Sequence, residues 1–182
     1  MDDLLADLRH EFRRYKTVAE RAMAELDDAA FFHRPGEVVN PIALIVKHLA
    51  GNMASRWADF LTTDGEKPTR NRDTEFVLTD DDTREHLMAA WERGWAILFD
   101  TLDGLTDADL PATVTIRGEA HTARQALLRG ALHVAYHTGQ ILYLVRLLRP
   151  DAAWQTIPPG QSRHAPGAYL RPPESGSGQP KA

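Results

Sequence analysis

The 182-residue chain has no cysteine. Disulfides, thiolate metal ligands and a cysteine nucleophile are therefore excluded, and a transition metal would have to be held by His, Asp, Glu or water. A surplus of basic charge is also missing. Lys and Arg number 21 against 26 Asp and Glu, a formal net charge of −5. Nucleic-acid binders usually carry a basic surplus or stripe. Here the two signs are interleaved, and no nucleic-acid partner is expected. Nor is there a long hydrophobic run. The longest uncharged run near the end of the helical region, Gly130 to Val145, contains two His and a Gln. It falls short of the ~20 apolar residues of a membrane span, so no membrane partner is expected. The opening MDDLLADLRHEFRRYK is charged and amphipathic, without a basic start followed by an apolar run. No secretory signal is read there, and a cytoplasmic location is expected.

What is present is mostly helical periodicity. The length suits one domain with a sizeable core. From residue 2 to about 29, Leu5, Leu8, Phe12, Tyr15, Ala19, Ala22 and Leu26 follow a 3-4 spacing that predicts a first helix. Pro35-Gly36 marks a turn. Asn40-Pro41 predicts the start of a second helix, with Asn as N-cap and Pro at the first helical position, and Asp64-Gly65 its end. Seven of the twelve residues from Asp64 to Glu75 are charged. This long connection is either a solvated loop or a cover that offers Arg70 or Arg72 to an anionic substrate. Thr79 followed by three aspartates predicts a capped third helix reaching about Leu102, with Met88, Trp91, Trp95, Leu98 and Leu102 buried. Thr113 to Ile116 alternates polar and apolar, Arg117-Gly118 suggests a turn, and Glu119 to His121 a return strand. A last helix spans Thr122 to Arg149, with Leu127, Leu128, Ala131, Leu132, Ile141, Leu144, Val145 and Leu148 as its apolar stripe. Pro158 to Ala182 contains ten Pro or Gly in 25 residues and is expected to be disordered. The domain is thus placed at residues 1–157 and the tail at 158–182. Trp154 and Ile157 are expected to anchor the start of the tail.

Chemistry concentrates on the second and last helices. His133 and His137 lie four residues apart and share a face of the last helix. Such a pair can close on one divalent ion if another ligand comes from elsewhere, and His48 on the second helix is the best candidate. Spacing alone leaves packed histidines equally open. Asn52 and Arg56 follow His48 at successive turns, and Gln140 follows His137. Each is a candidate for substrate contact or ligand support, with an edge position reaching water as the alternative for Asn52 and Arg56. His33 and His86 are given no role, and His121 lies far from the His133 turn.

The His48-Leu49 pair with the His-x-x-x-His-x-Gly-Gln run of His133, His137, Gly139 and Gln140 resembles the DinB-like superfamily, which includes YfiT-like metal-dependent hydrolases. The resemblance covers about residues 1 to 150. It is closest to a branch of uncharacterised function, through His48-Leu49-Ala50-Gly51-Asn52, Arg56-Trp57, Asp64-Gly65-Glu66-Lys67-Pro68, Arg70-Asn71-Arg72-Asp73 and Glu75-Phe76. It implies an all-α four-helix bundle with a long crossover and a three-histidine site, His48, His133 and His137, holding a divalent metal such as Zn or Ni. It implies a homodimer and a small-molecule substrate. Some relatives transfer low-molecular-weight thiols, others isomerise a small substrate with thiol help, and many have no assigned reaction. Two readings follow: a metal-dependent hydrolase or thiol transferase, and a non-catalytic metal-binding bundle with a structural or stress-related role. No acid is built into the histidine motif as general base, since there is no His-Glu-x-x-His.

Overall fold

The computed structural model describes residues 4–161. Most of the expected tail lies outside the described residues. The chain is mostly helical: α1 (Leu4–Ala24), α2 (Asp28–Phe32), α3 (Ile42–Trp57), α4 (Arg84–Gly104) and α5 (Ala123–Leu148), with the hairpin β1 (Thr113–Ile116) and β2 (Glu119–Thr122) just before α5. The four long helices share one core. α3 packs most extensively on α4 and α1 on α5, and α3 also meets α5. None of the helices is long and apolar enough to cross a membrane.

The core is aromatic at its centre. Trp57, Trp91, Trp95, Phe12 and Phe31 are fully buried. Phe12 meets Trp57 and Trp95 edge-on at 6.3 Å, and Trp91 meets Trp95 edge-on at 5.5 Å. Each such pair contributes about 0.5–1.5 kcal/mol beyond its buried area. Trp91 Nε1–H donates to Glu20 Oε1 at 2.9 Å, so that ring enters the core with its polar edge satisfied.

Helix limits differ from the sequence reading in ways that capping explains. The first helix stops at Ala24, because Asp27 caps a separate short helix by accepting from the Ala30 N–H. At α3 it is Pro41, not Asn40, that holds the extended N-cap position, and no side chain caps that end. The same helix ends at Trp57 rather than Asp64. Ala58 turns extended and Asp59 adopts a left-handed φ of 49°, which breaks the ladder without a glycine. Thr83, not Thr79, caps α4 by accepting from the His86 N–H. Thr79 instead closes a turn on the Asp82 carboxylate.

The hairpin and the last helix follow the expected limits closely. Thr113 pairs with Thr122 and Ile116 with Glu119, and the two-residue turn is built of Arg117 and Gly118, both left-handed. Thr122 and Gln125 then form a reciprocal capping box at the start of α5. The buried stripe of α5 differs in part from the expected one. Leu128 and Leu132 face outward, the latter 72% exposed, while Ala126, Leu127, Gly130, Val134 and Ile141 face the core. Trp154 and Ile157 are about half exposed. Trp154 lies under the Arg146 guanidinium, and Ala152 is the buried residue of that segment.

The charged connection is not a loose loop. It is strapped along α3 from end to end. Ser55 Oγ donates to the Gly65 carbonyl at 3.0 Å and accepts from the Lys67 N–H at 2.9 Å. Asp64 receives the backbone N–H groups of Glu66, Arg117 and Gly118, which ties the strap to the hairpin turn. Those donors hold its carboxyl well below the usual range. At the far end Lys47 Nζ donates to the Val77 carbonyl at 2.8 Å and pairs with Asp82. Between these anchors, the 3₁₀ turn Arg72–Phe76 sits against α3.

Candidate metal centre

His48 stands on the buried face of α3, and His133 and His137 stand one turn apart on α5. Because α3 and α5 pack together, the three rings meet. His48 Nε2 lies 3.2 Å from His133 Nε2, and His137 Nε2 lies 3.1 Å from the same atom. The three can hold a metal ion: one ligand nitrogen from each lies within 4.8 Å of the others. His48 is 4% exposed, and the other two are half-buried.

The proton positions follow from the outer partners. His48 Nδ1 faces Glu75 Oε2 at 2.8 Å. A carboxylate only accepts, so Nδ1 carries the hydrogen and Nε2 presents its lone pair. His137 Nδ1 faces Gln140 Oε1 at 2.7 Å, and the same reasoning leaves its Nε2 bare. His133 Nε2 therefore stands between two lone pairs and can donate to only one of them. Protonating His133 and His137 is disfavoured. Burial, then the neighbouring His137 and His48, push His133 down to about 3. Burial pushes His137 down to about 4, although its bond to Gln140 works the other way. A cluster of imidazoles whose ring nitrogens converge is the donor set a divalent cation takes. A tetrahedral ion with nitrogens at ~2.0–2.1 Å spaces them about 3.3 Å apart, close to the separations found here.

Glu75 is the functional residue the sequence reading assigned no role. Its carboxylate is buried and faces two ways. Arg70 grips it from the other side through Nε to Oε1 at 2.7 Å and Nη2 to Oε2 at 2.8 Å. Burial pushes its carboxyl up, but the bonds from His48 and Arg70 outweigh that and hold it below the ordinary carboxylate range. Gly51 makes room for it, since a Cβ at that position would stand 2.4 Å from Glu75 Oε1. Phe76 covers the His48 ring with centroids 4.9 Å apart. The sequence signals were indirect: Glu75-Phe76 among the motifs of the resemblance, and a glycine three residues after His48 in the middle of a helix.

The other candidates separate clearly. Asn52 and Arg56 do not sit at a wet edge; they are 9% and 8% exposed. Gln140 orients His137, as described. Arg70 is already committed to Glu75 and, through Nη1 at 2.9 Å, to Glu66, while Arg72 lies over the Phe76 ring. The strap thus covers the site with Arg70 committed to carboxylates, while Arg72 is exposed and its charge reaches His137. His121 is bonded near Arg129 and stands outside the cluster. His33 and His86 are exposed.

A helical domain with a three-histidine cluster between two of its helices defines the class. The chain belongs to the family described as a protein of unknown function, DUF1572, whose model matches residues 1–161. A crystal structure described as the conserved protein of locus from Enterococcus faecalis shares the fold, with a TM-score of 0.60 at 14% identity. The match covers 83% of this chain and 99% of that one. No curated protein matches the chain.

Proposed function

We propose that this protein is a divalent-metal-dependent enzyme of the DinB-like kind, a hydrolase or low-molecular-weight thiol transferase acting on a small substrate. The observation that carries the reading is the convergence of three imidazole nitrogens backed by Glu75 and Gln140. His48, His133 and His137 would hold the ion, Zn or Ni as the family resemblance implies, although imidazole suits Zn, Ni, Cu and Fe alike. When bound, such an ion supplies Lewis acidity at neutral pH. The chain's own contributions are orientation and enclosure. Glu75 and Gln140 fix the tautomers of two rings, a role whose loss elsewhere weakens metal binding 10–100-fold. Phe76 and the strap shield His48 from water on one side. Tyr136, largely exposed, stands edge-on to His137 with centroids 5.0 Å apart at the open side.

In this reading residues 1–157 form a four-helix bundle of DinB/YfiT-like type, and the protein is cytoplasmic. Leu132, Tyr136, Tyr143 and Leu147 form an exposed apolar row on α5, which supports a homodimer. A second reading, a metal clasp without catalysis, draws on the ligands coming from two different helices. Elemental analysis of gently purified His133→Ala against the native protein tests the site. Loss of most bound metal is expected, and native stoichiometry would remove the proposed ligand role. Metal-replete and metal-free protein are then compared on amide, ester and thiol-plus-electrophile substrates. Equal background rates would favour the clasp.

A further inference from the structure

Two polar side chains on the histidine face of α3 have no partner among the described residues. Asn52 and Arg56 follow His48 at one and two turns, and both are more than nine-tenths buried. No hydrogen bond or ion pair among the described residues engages the Arg56 guanidinium, and its Nε is fully enclosed with nothing to donate to. An unpaired buried cation is costly and is normally matched by an anion. No carboxylate among the described residues fills that role. Glu66 is the nearest acidic influence, but it is bonded to Arg70 at 2.9 Å and lies 3.5 Å from Arg117. The remaining charges acting on Arg56 are Arg129, Arg70 and Arg117, all of like sign.

The position of Arg56 is held by packing. Its stem runs under the strap at Gly65, where a Cβ would stand 3.1 Å from Arg56 Cδ. Side chains of a helix lean toward its N-terminus, so Arg56 leans toward Asn52 and His48. His48 and Arg56 are eight residues apart, about 12 Å along the axis before that lean is counted. The charge of Arg56 is among those felt by His133. Burial, then Arg129, lowers the guanidinium to about 10, as expected of a cation placed without its counter-ion.

We infer that Arg56, with Asn52 beside it, is the anion-recognition end of the site, and that the small substrate carries a carboxylate or phosphate seated there while its remainder reaches the three histidines. The inference rests on the proposed function for the substrate's presence, but the anion subsite itself does not depend on a bound metal. A guanidinium fork matches either oxyanion through paired N–H donors, and the Asn52 amide adds a further donor.

The test uses full-length, metal-stripped protein, titrated calorimetrically with succinate, with neutral succinamide and with inorganic phosphate. Thermal unfolding is followed in parallel. Succinate, phosphate or both should bind and raise the melting temperature, the preferred one identifying the oxyanion, while succinamide should do neither. Arg56→Met should weaken the anion by about thirtyfold or more. Without anion the same variant should melt higher than the native protein, because it removes an unpaired buried charge. Arg56→Lys should retain part of the binding. The inference is overturned if neither anion binds the native protein, if succinamide binds equally well, or if Arg56→Met keeps native affinity. His133→Ala separates the two ideas. It should lose metal yet bind the anion, so failure of the metal reading leaves the Arg56 result standing, and the reverse also holds.

Discussion

Replacing Gly51 by alanine sets two effects against each other, and their sizes can be worked out. In the interior of a helix alanine is favoured over glycine by about 0.5–1 kcal/mol. At Gly51 the new methyl would stand 2.4 Å from Glu75 Oε1 and 2.9 Å from its carboxyl carbon. Those atoms are held by Arg70 and His48 and cannot swing aside without losing a partner. Breaking a buried ion pair costs about 3–5 kcal/mol. The net expectation is a loss of about 2–4 kcal/mol, the difference of these two ranges. With a urea dependence of ~2 kcal/mol per molar, the midpoint should fall by about 1–2 M. Displacing Glu75 also frees the His48 ring, so affinity for Zn or Co should drop 10–100-fold in a competition assay. Gly139→Ala is the control. Gly139 is also inside a long helix, but nothing lies within 4 Å of its Cβ position. That variant should gain about 0.5–1 kcal/mol. If Gly51→Ala were stabilised like Gly139→Ala and bound metal normally, the account of Glu75 as the orienting group would be wrong.

Two further outcomes are expected. Metal-free protein should lose stability as pH falls below about 6.5, the ordinary histidine value. His133 and His137 stay neutral in the fold down to about 3 and about 4. Over that window the unfolded chain takes up protons that the folded one refuses, so acid favours unfolding; urea midpoints constant between pH 7 and 5 would contradict it. Gly130→Ala should destabilise by about 1–3 kcal/mol despite its helix preference. Its methyl would stand 2.4 Å from Trp57 Cζ2, and that ring is wedged against Phe12 and Phe60; a raised thermal midpoint would show that the ring can yield.

Periodic features were legible in the sequence and tertiary ones were not. His133 and His137 could be paired because helix geometry fixes the relation of residues four apart. The hairpin was legible because alternation and an Arg117-Gly118 turn are local signals. Helix ends were displaced because several residues compete to cap, and only packing decides between Thr79 and Thr83. Leu128 and Leu132 read as core because hydrophobicity does not say which side of a helix is covered. Glu75 was given no role because it lies 27 residues from His48 in a strap of mixed charge, where no period links the two. Arg56 was a candidate on spacing, but its burial without a partner depends on the strap closing over it.

The two-faced carboxylate of Glu75 makes the strap and the histidine cluster a single cooperative unit. One oxygen serves both His48 and Arg70, and Arg70 in turn fastens Glu66 within the strap. By reciprocity, whatever tightens the grip at His48 must also disfavour the open form of the segment from 64 to 76, by the same coupling free energy. Backbone exchange along that segment therefore reports on events at the imidazoles, even though the segment supplies none of the three rings.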